Sequence, residues 1–137
     1  MKILIPTDGS VYSRNAAKVA SKIAQSHSYK IIVLHVVDDK GLKRKKWRNE
    51  GANNIIEEIC ELLVENGCKQ EFIEKVIKDG NAPESIVEVA KEMEVDRIVI
   101  GTQGRNGIKK IVGSVTEKVL KLSDALVLVI PPNYIEA

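Results

Sequence analysis

The chain has 137 residues, 44% of them hydrophobic, enough for one domain with a real core and with no composition shift that would divide it in two. A formal charge of +2 gives no overall field to hold nucleic acid or an anionic membrane surface. The longest apolar runs, such as Ala125 to Ile130, fall far short of a bilayer span, and Met1 leads straight into a strand-like run rather than a secretory signal, so a cytoplasmic protein is expected.

Lys2 to Pro6 is nearly all aliphatic, the pattern of a strand buried on both faces of a parallel sheet. Ala16, Ala17, Val19, Ala20, Ile23 and Ala24 then recur at helical spacing, opening after Asp8-Gly9-Ser10 and closing before Ser26-His27-Ser28. A second aliphatic, β-branched strand runs from Lys30 to Val37. His35 sits inside it and reads as a satisfied core histidine rather than a catalytic one. Lys40 to Arg48 packs six basic residues around Trp47, either a solvated loop and first helical turn or a contact for an acidic face. One such run is too short to make nucleic acid an expected partner.

A helix over roughly 48 to 66 turns Ile55, Ile56, Ile59, Cys60, Leu62 and Leu63 inward and stops near Asn66-Gly67, where glycine suits a left-handed cap. Cys60 and Cys68 fall in this helix-patterned segment, about 12 Å apart by helical rise, too far to bridge, so reduced packed thiols are expected. A third strand spans about 70 to 78. Asn81 caps a third helix, with Pro83 in its first turn and Ile86, Val87, Ala90 and Met93 as its apolar stripe. Asp96 to Ile100 is a fourth strand. Ser114-Val115-Thr116-Glu117 reads as a capping box that opens a last helix to about Leu122, and Ala125 to Ile130 is a fifth strand stopped by Pro131-Pro132.

Five aliphatic strands alternating with helices predict right-handed crossovers and one parallel sheet covered on both faces, a doubly wound α/β open sandwich of the flavodoxin or Rossmann-like kind. With strand order 3-2-1-4-5 the turns after strands one and four face each other across the crevice where such sheets bind ligands. The segment from Gly101 to Thr116 joins a strand to a helix start through glycines at 101, 104, 107 and 113, which permit positive φ or close backbone approach. Free N–H groups at a helix N-terminus carry roughly half a positive charge and can bind a phosphate. A nucleotide is therefore the expected ligand. Arg105, Lys109 and Lys110 can neutralise polyphosphate or simply face solvent. Asp8 can meet a ribose hydroxyl, hold a metal ion through water, or close an Asx-turn. The Ser114 hydroxyl suits either a phosphate or the N–H of Glu117. No Ser/His/Asp, Cys/His or metal-spaced cluster recurs along the chain, and there is no Walker loop.

The chain resembles the universal stress protein family across almost its whole length. The resemblance is carried by Ile3-Leu4-Ile5-Pro6-Thr7-Asp8-Gly9-Ser10, Leu34-His35-Val36, Gly80-Asn81-Ala82-Pro83, Asp96 to Thr102, Gly104, Gly113-Ser114-Val115 and Val127 to Ile130, in the family's order and spacing. It implies a homodimeric nucleotide-binding domain over residues 1–137, binding ATP or AMP, with Mg²⁺ or Mn²⁺ as a companion ion. Carried over residue by residue, it implies adenine near Pro6, Thr7 and Val36, and Asp8 near the ribose or a phosphate-bound metal. Ile100, Gly101, Gln103 and Gly104, with Arg105 beside them, would line ribose and phosphates, and Gly113, Ser114, Val115 and Thr116 would hold the outer phosphates. The chain departs from the family's pattern in one respect: eight residues, Arg105 to Val112, separate Gly104 from Gly113, one fewer than in the family's nucleotide loop. The expected function is that of a nucleotide-binding regulatory protein of the stress response that pairs with its twin through strand five, residues 125–130. Slow ATP hydrolysis and a nucleotide-free interaction module are the alternatives.

Overall fold

The computed structural model describes residues 1–37, 45–102 and 112–134. Its elements follow in the order β1 (Lys2–Pro6), α1 (Val11–His27), β2 (Lys30–Val37), α2 (Lys45–Glu65), β3 (Ile73–Asp79), α3 (Ala82–Glu92), β4 (Arg97–Gly101), α4 (Ser114–Leu122) and β5 (Leu126–Ile130). The strands form one parallel sheet in the order β3-β2-β1-β4-β5, as expected from the sequence. β1 lies at the centre, in register with β2 from Lys2↔Lys30 to Pro6↔Leu34 and with β4 at Ile3↔Arg97 and Leu4↔Ile98.

Alternation along the strands builds two separate cores. Ile3 and Ile5 of β1, Ile31 and Val33 of β2 and Val99 of β4 join the α1 and α2 layer through Ala16, Ala17, Ala20, Ile56, Ile59 and Leu63. Leu4, Ile32, Leu34, Ile98 and Ile100 point the other way, to Ile86, Val89 and Ala90 of α3 and Val119 of α4. Small side chains on α1 let that helix lie close to the sheet. β1 therefore has no polar face, and Ile3, Leu4 and Ile5 are wholly buried.

Element ends depart from the sequence pattern where a turn geometry intervenes. α1 runs through Ser26 and His27 because the left-handed residue that ends it is Ser28, at φ 55°. β3 starts only at Ile73, since Gln70–Phe72 makes a single 3₁₀ turn first. This edge strand is not aliphatic throughout: Glu74, Lys75 and Lys78 face solvent, and Lys75 pairs with Glu57 of α2. Charged residues of this kind blunt a sheet edge. Cys68 lies beyond the end of α2, not within it; both thiols are free and buried, and burial pushes both upward from the ordinary value of 9.0. Of the basic segment 40–48, the side chains, Trp47 included, lie outside the described residues.

Candidate functional site

Because β1 is flanked by strands whose crossovers leave on opposite faces, the carboxyl ends of β1, β2 and β4 open a crevice. The turn from β1 into α1 is shaped by its own short polar side chains. Gly9 takes φ +82°, a conformation that disfavours any side chain, and Asp8 Oδ1 accepts the Ser10 N–H at 2.9 Å, closing an Asx-turn. Ser10 then caps α1, its hydroxyl accepting the Ser13 N–H. Thr7 donates its hydroxyl to Ser13 Oγ at 3.0 Å, and Ser13 donates onward to the Ser10 carbonyl at 2.8 Å. Thr7 and Ser13 are both buried, so these bonds hold the turn in one shape rather than compete with water.

Across the crevice stand the first turns of α3 and α4. Asn81 caps α3, accepting the Glu84 N–H, after Gly80 turns the chain out of β3 at φ +144°. Gly113 rather than Ser114 is the N-cap of α4: the Glu117 N–H goes to the Gly113 carbonyl at 2.9 Å, and no side-chain cap is formed among the described residues. The capping-box expectation therefore fails at Ser114, whose place is the first helical position, too far along to reach an N3 donor. Thr116 instead ties α4 to the sheet, its buried hydroxyl donating to the Gly101 carbonyl at 2.8 Å.

Thr102 is the neck of the glycine segment. Its N–H donates to the Ile130 carbonyl at the end of β5, and its own carbonyl accepts the Gly113 N–H at 2.5 Å. Its hydroxyl is buried and has no hydrogen-bond partner among the described residues. Gly101 and Gly113 do not take positive φ, contrary to one of the two roles their type suggests. For Gly101 the other role applies, but the close neighbour is the main chain of Tyr12 in α1.

The resulting cleft, with a cavity volume of about 100 Å³, is lined by Pro6, Thr7, Asp8, Leu34, Val36, Ile100, Gly101, Val115 and Thr116, with Ser13, Ala82 and Ile86 completing it. A second hollow of about 250 Å³ shares Val36, Ala82 and Val115 with it and continues to Ser114, Asn81 and Lys118. Together they reach the lower end of the ~300–1,000 Å³ range of small-molecule sites. Chemically the trough is graded. Its inner slot is apolar, from Pro6, Leu34, Val36, Ile86 and Ile100. Its outer end meets the N-termini of α3 and α4, a favourable environment for negative charge. The hydroxyls of Thr7, Ser13 and Thr116 are all spent as donors on protein acceptors.

Eight of the residues singled out from the sequence thus meet in one cleft: Pro6, Thr7, Asp8, Val36, Ile100, Gly101, Val115 and Thr116. Ser114 lines the adjoining hollow, and Gly113 stands one residue before it. Gln103, Gly104 and Arg105, like Lys109 and Lys110, lie outside the described residues. Ser13, Leu34, Ala82 and Ile86 were missed. Leu34 was legible as the residue two before Val36 and so on the same face of β2, and Ala82 and Ile86 as an i, i+4 pair at the start of α3. Asp8 is the carboxylate lining the cleft; one of its oxygens serves the turn, and a hard cation there would draw its remaining ligands from phosphate and water. No group of three His, Cys, Asp or Glu that could hold a metal occurs among the described residues. No helix among them is long and apolar enough to cross a membrane.

Residues 1–131 match the family model described as Universal stress protein family. Universal stress protein MJ0531 of Methanocaldococcus jannaschii is 37% identical, the match covering 94% of this chain and 81% of that protein. The solved structure of protein MJ0577 from the same organism superimposes with a TM-score of 0.81 at 34% identity, covering 95% of this chain and 94% of that one. A universal stress protein from Archaeoglobus fulgidus, solved in complex with dAMP, superimposes with a TM-score of 0.78 at 22% identity over 95% of this chain and 97% of that one, a likeness of fold.

Proposed function

The chain belongs to the universal stress protein family, and on that premise we propose that it is a cytoplasmic regulatory protein that binds an adenine nucleotide, AMP or ATP, in the cleft at the carboxyl ends of β1, β2 and β4. The observation that carries this reading is the grading of the trough. An apolar slot between Pro6, Leu34, Val36 and Ile100 suits a planar base, and the hollow adjoining it reaches the N-terminus of α4, where no side chain among the described residues supplies a cap. A base needs the first and a phosphate the second. The dAMP bound by the Archaeoglobus relative is of this class. In this assignment Pro6, Thr7 and Val36 meet the base, while Asp8, Ile100 and Gly101 meet the ribose and the inner phosphate. Gly113, Ser114, Val115 and Thr116 receive the outer phosphates, with Gln103, Gly104 and Arg105 completing the loop. Asp8 is the residue that would meet a Mg²⁺ or Mn²⁺ carried by those phosphates.

The protein acts in this reading through ligand-coupled conformation, as a homodimer paired along β5. Leu126 is 70% exposed and Leu128 40% exposed, on a sheet edge that carries no blunting charge of the kind seen on β3. A twin copy would cover both the apolar side chains and the open ladder. Thermal unfolding with millimolar AMP or ATP and Mg²⁺ tests the nucleotide reading. Binding adds about 2.7 kcal/mol at a ligand concentration of a hundred times Kd, seen as a clear rise in midpoint. An unchanged midpoint with every adenylate, and no nucleotide released from the purified protein on denaturation, would overturn it.

A further inference from the structure

We propose that His35 is a positioning residue for the base of the bound nucleotide: by holding the Thr7 carbonyl from behind the sheet, it fixes the wall against which the base lies. This rests on the nucleotide reading of the cleft. Main-chain groups along β2 alternate with a period of two. The Leu34 carbonyl accepts the Thr7 N–H at 2.8 Å, and the Val37 carbonyl accepts the Gly80 N–H at 2.9 Å. Even-numbered residues of β2 therefore aim their main-chain groups at β1, and odd-numbered residues aim theirs at β3. Val36 is even-numbered and lies past Pro6↔Leu34, the last pair between the two strands. Its N–H and C=O thus point over the end of β1, into the cleft that its side chain also lines.

In an uninterrupted ladder the Thr7 carbonyl would be the natural acceptor for the Val36 N–H. Here that oxygen accepts a hydrogen bond from His35 Nδ1 at 2.7 Å. A carbonyl only accepts, so Nδ1 carries the proton. Odd positions of β2 face α1 and α2, as Ile31 and Val33 do, whereas Leu34 and Val36 face the cleft. The imidazole consequently reaches Thr7 from the side opposite the ligand and occupies none of its space. It turns the Thr7 peptide toward itself and leaves the Val36 N–H and C=O, a donor beside an acceptor, to the base. Adenine presents the complementary pair, an acceptor at N1 and a donor at N6. Hypoxanthine presents the opposite polarity at both positions.

Calorimetric titration of the unchanged protein, His35→Leu and His35→Asn with AMP, IMP and ribose 5-phosphate tests this. Removing the imidazole donor should weaken AMP by about tenfold, roughly the net worth of one hydrogen bond, and bring the AMP-to-IMP ratio toward one. Ribose 5-phosphate, which has no base, should bind as before. Asn, whose amide N–H reaches to a similar point, should restore most of the ratio. A preserved ratio in His35→Leu overturns the proposal, and so does an equal loss of all three ligands, the mark of a general structural role. The unchanged protein supplies a readout that needs no variant: AMP should shift the His35 Nδ1–H nitrogen resonance and ribose 5-phosphate should not, and the same shift with both overturns it. Failure of the unchanged protein to bind AMP at all overturns the nucleotide reading itself and this inference with it.

Discussion

Gly101, the last residue of β4, lies directly against the main chain of Tyr12 in the first turn of α1: a Cβ at Gly101 would stand 2.8 Å from the Tyr12 carbonyl oxygen. A flexible side chain could yield at that distance, but a helix backbone cannot. Gly101→Ala should therefore push α1 off β4 and cost about 1–3 kcal/mol, as overpacking of a dense interior does. The loss is expected with no nucleotide present, read as a lower urea midpoint with unchanged slope. Stability equal to that of the unchanged protein would show that α1 shifts freely there.

Gly113 presents the contrary case. Its φ of −69° and ψ of 162° are open to any residue, so its backbone conformation does not call for glycine. Gly113→Val should leave the circular dichroism spectrum and thermal midpoint of the unliganded protein nearly as they were, while crowding the approach to the α4 N-terminus and weakening ATP, which carries the outer phosphates, far more than AMP. Retained ATP affinity would remove the outer-phosphate role from this residue.

Leu126 and Leu128 project from β5 at the open edge. Replacing both by lysine adds like charges that face each other across any twofold pairing of this strand. At micromolar concentration the unchanged protein should sediment as a dimer and the double variant as a monomer, with each protomer still folded. A monomeric unchanged protein would sink the pairing proposal.

The buried thiols imply an alkaline limit. Burial raises both Cys60 and Cys68 above 9.0, their ordinary value, so at alkaline pH the unfolded chain releases these protons before the native one does. Their contribution is complete below pH 9.0 and is lost as pH climbs through the raised native values. Replacing both with alanine should lower stability at neutral pH through lost packing but flatten its decline above that point. Parallel slopes for the two proteins in urea titrations across the range would contradict the assignment.

Much of the architecture was legible in the residues. Five aliphatic runs, each followed by a helix-spaced pattern or a stop, admit few chain paths, because right-handed crossovers and burial on both faces remove the alternatives. The strand order and most of the cleft's lining followed, since Pro6 to Asp8, Val36 and Ile100-Gly101 all sit at the carboxyl ends of neighbouring strands. Cap and turn details were less legible. Ser114 and Glu117 have a capping-box spacing, yet the Thr102 carbonyl holds the Gly113 N–H and Gly113 takes the cap. A pattern of four residues carries no information about a partner twelve residues upstream.

Local chemistry thus dictates which segments are strands and helices and which face of each is apolar, because side-chain periodicity and backbone sterics act over a few residues. The Asx-turn at Asp8 is local too, but the residues offered it only as one of three roles for that carboxylate. Contacts between distant segments belong to the folded state alone. The abutment of Gly101 on Tyr12, the bond from His35 to Thr7 and the meeting of Ala82, Ile86 and Val115 over one slot arise only when the sheet sets those segments side by side. Their energies depend on separations of a few ångströms that no spacing along the chain encodes.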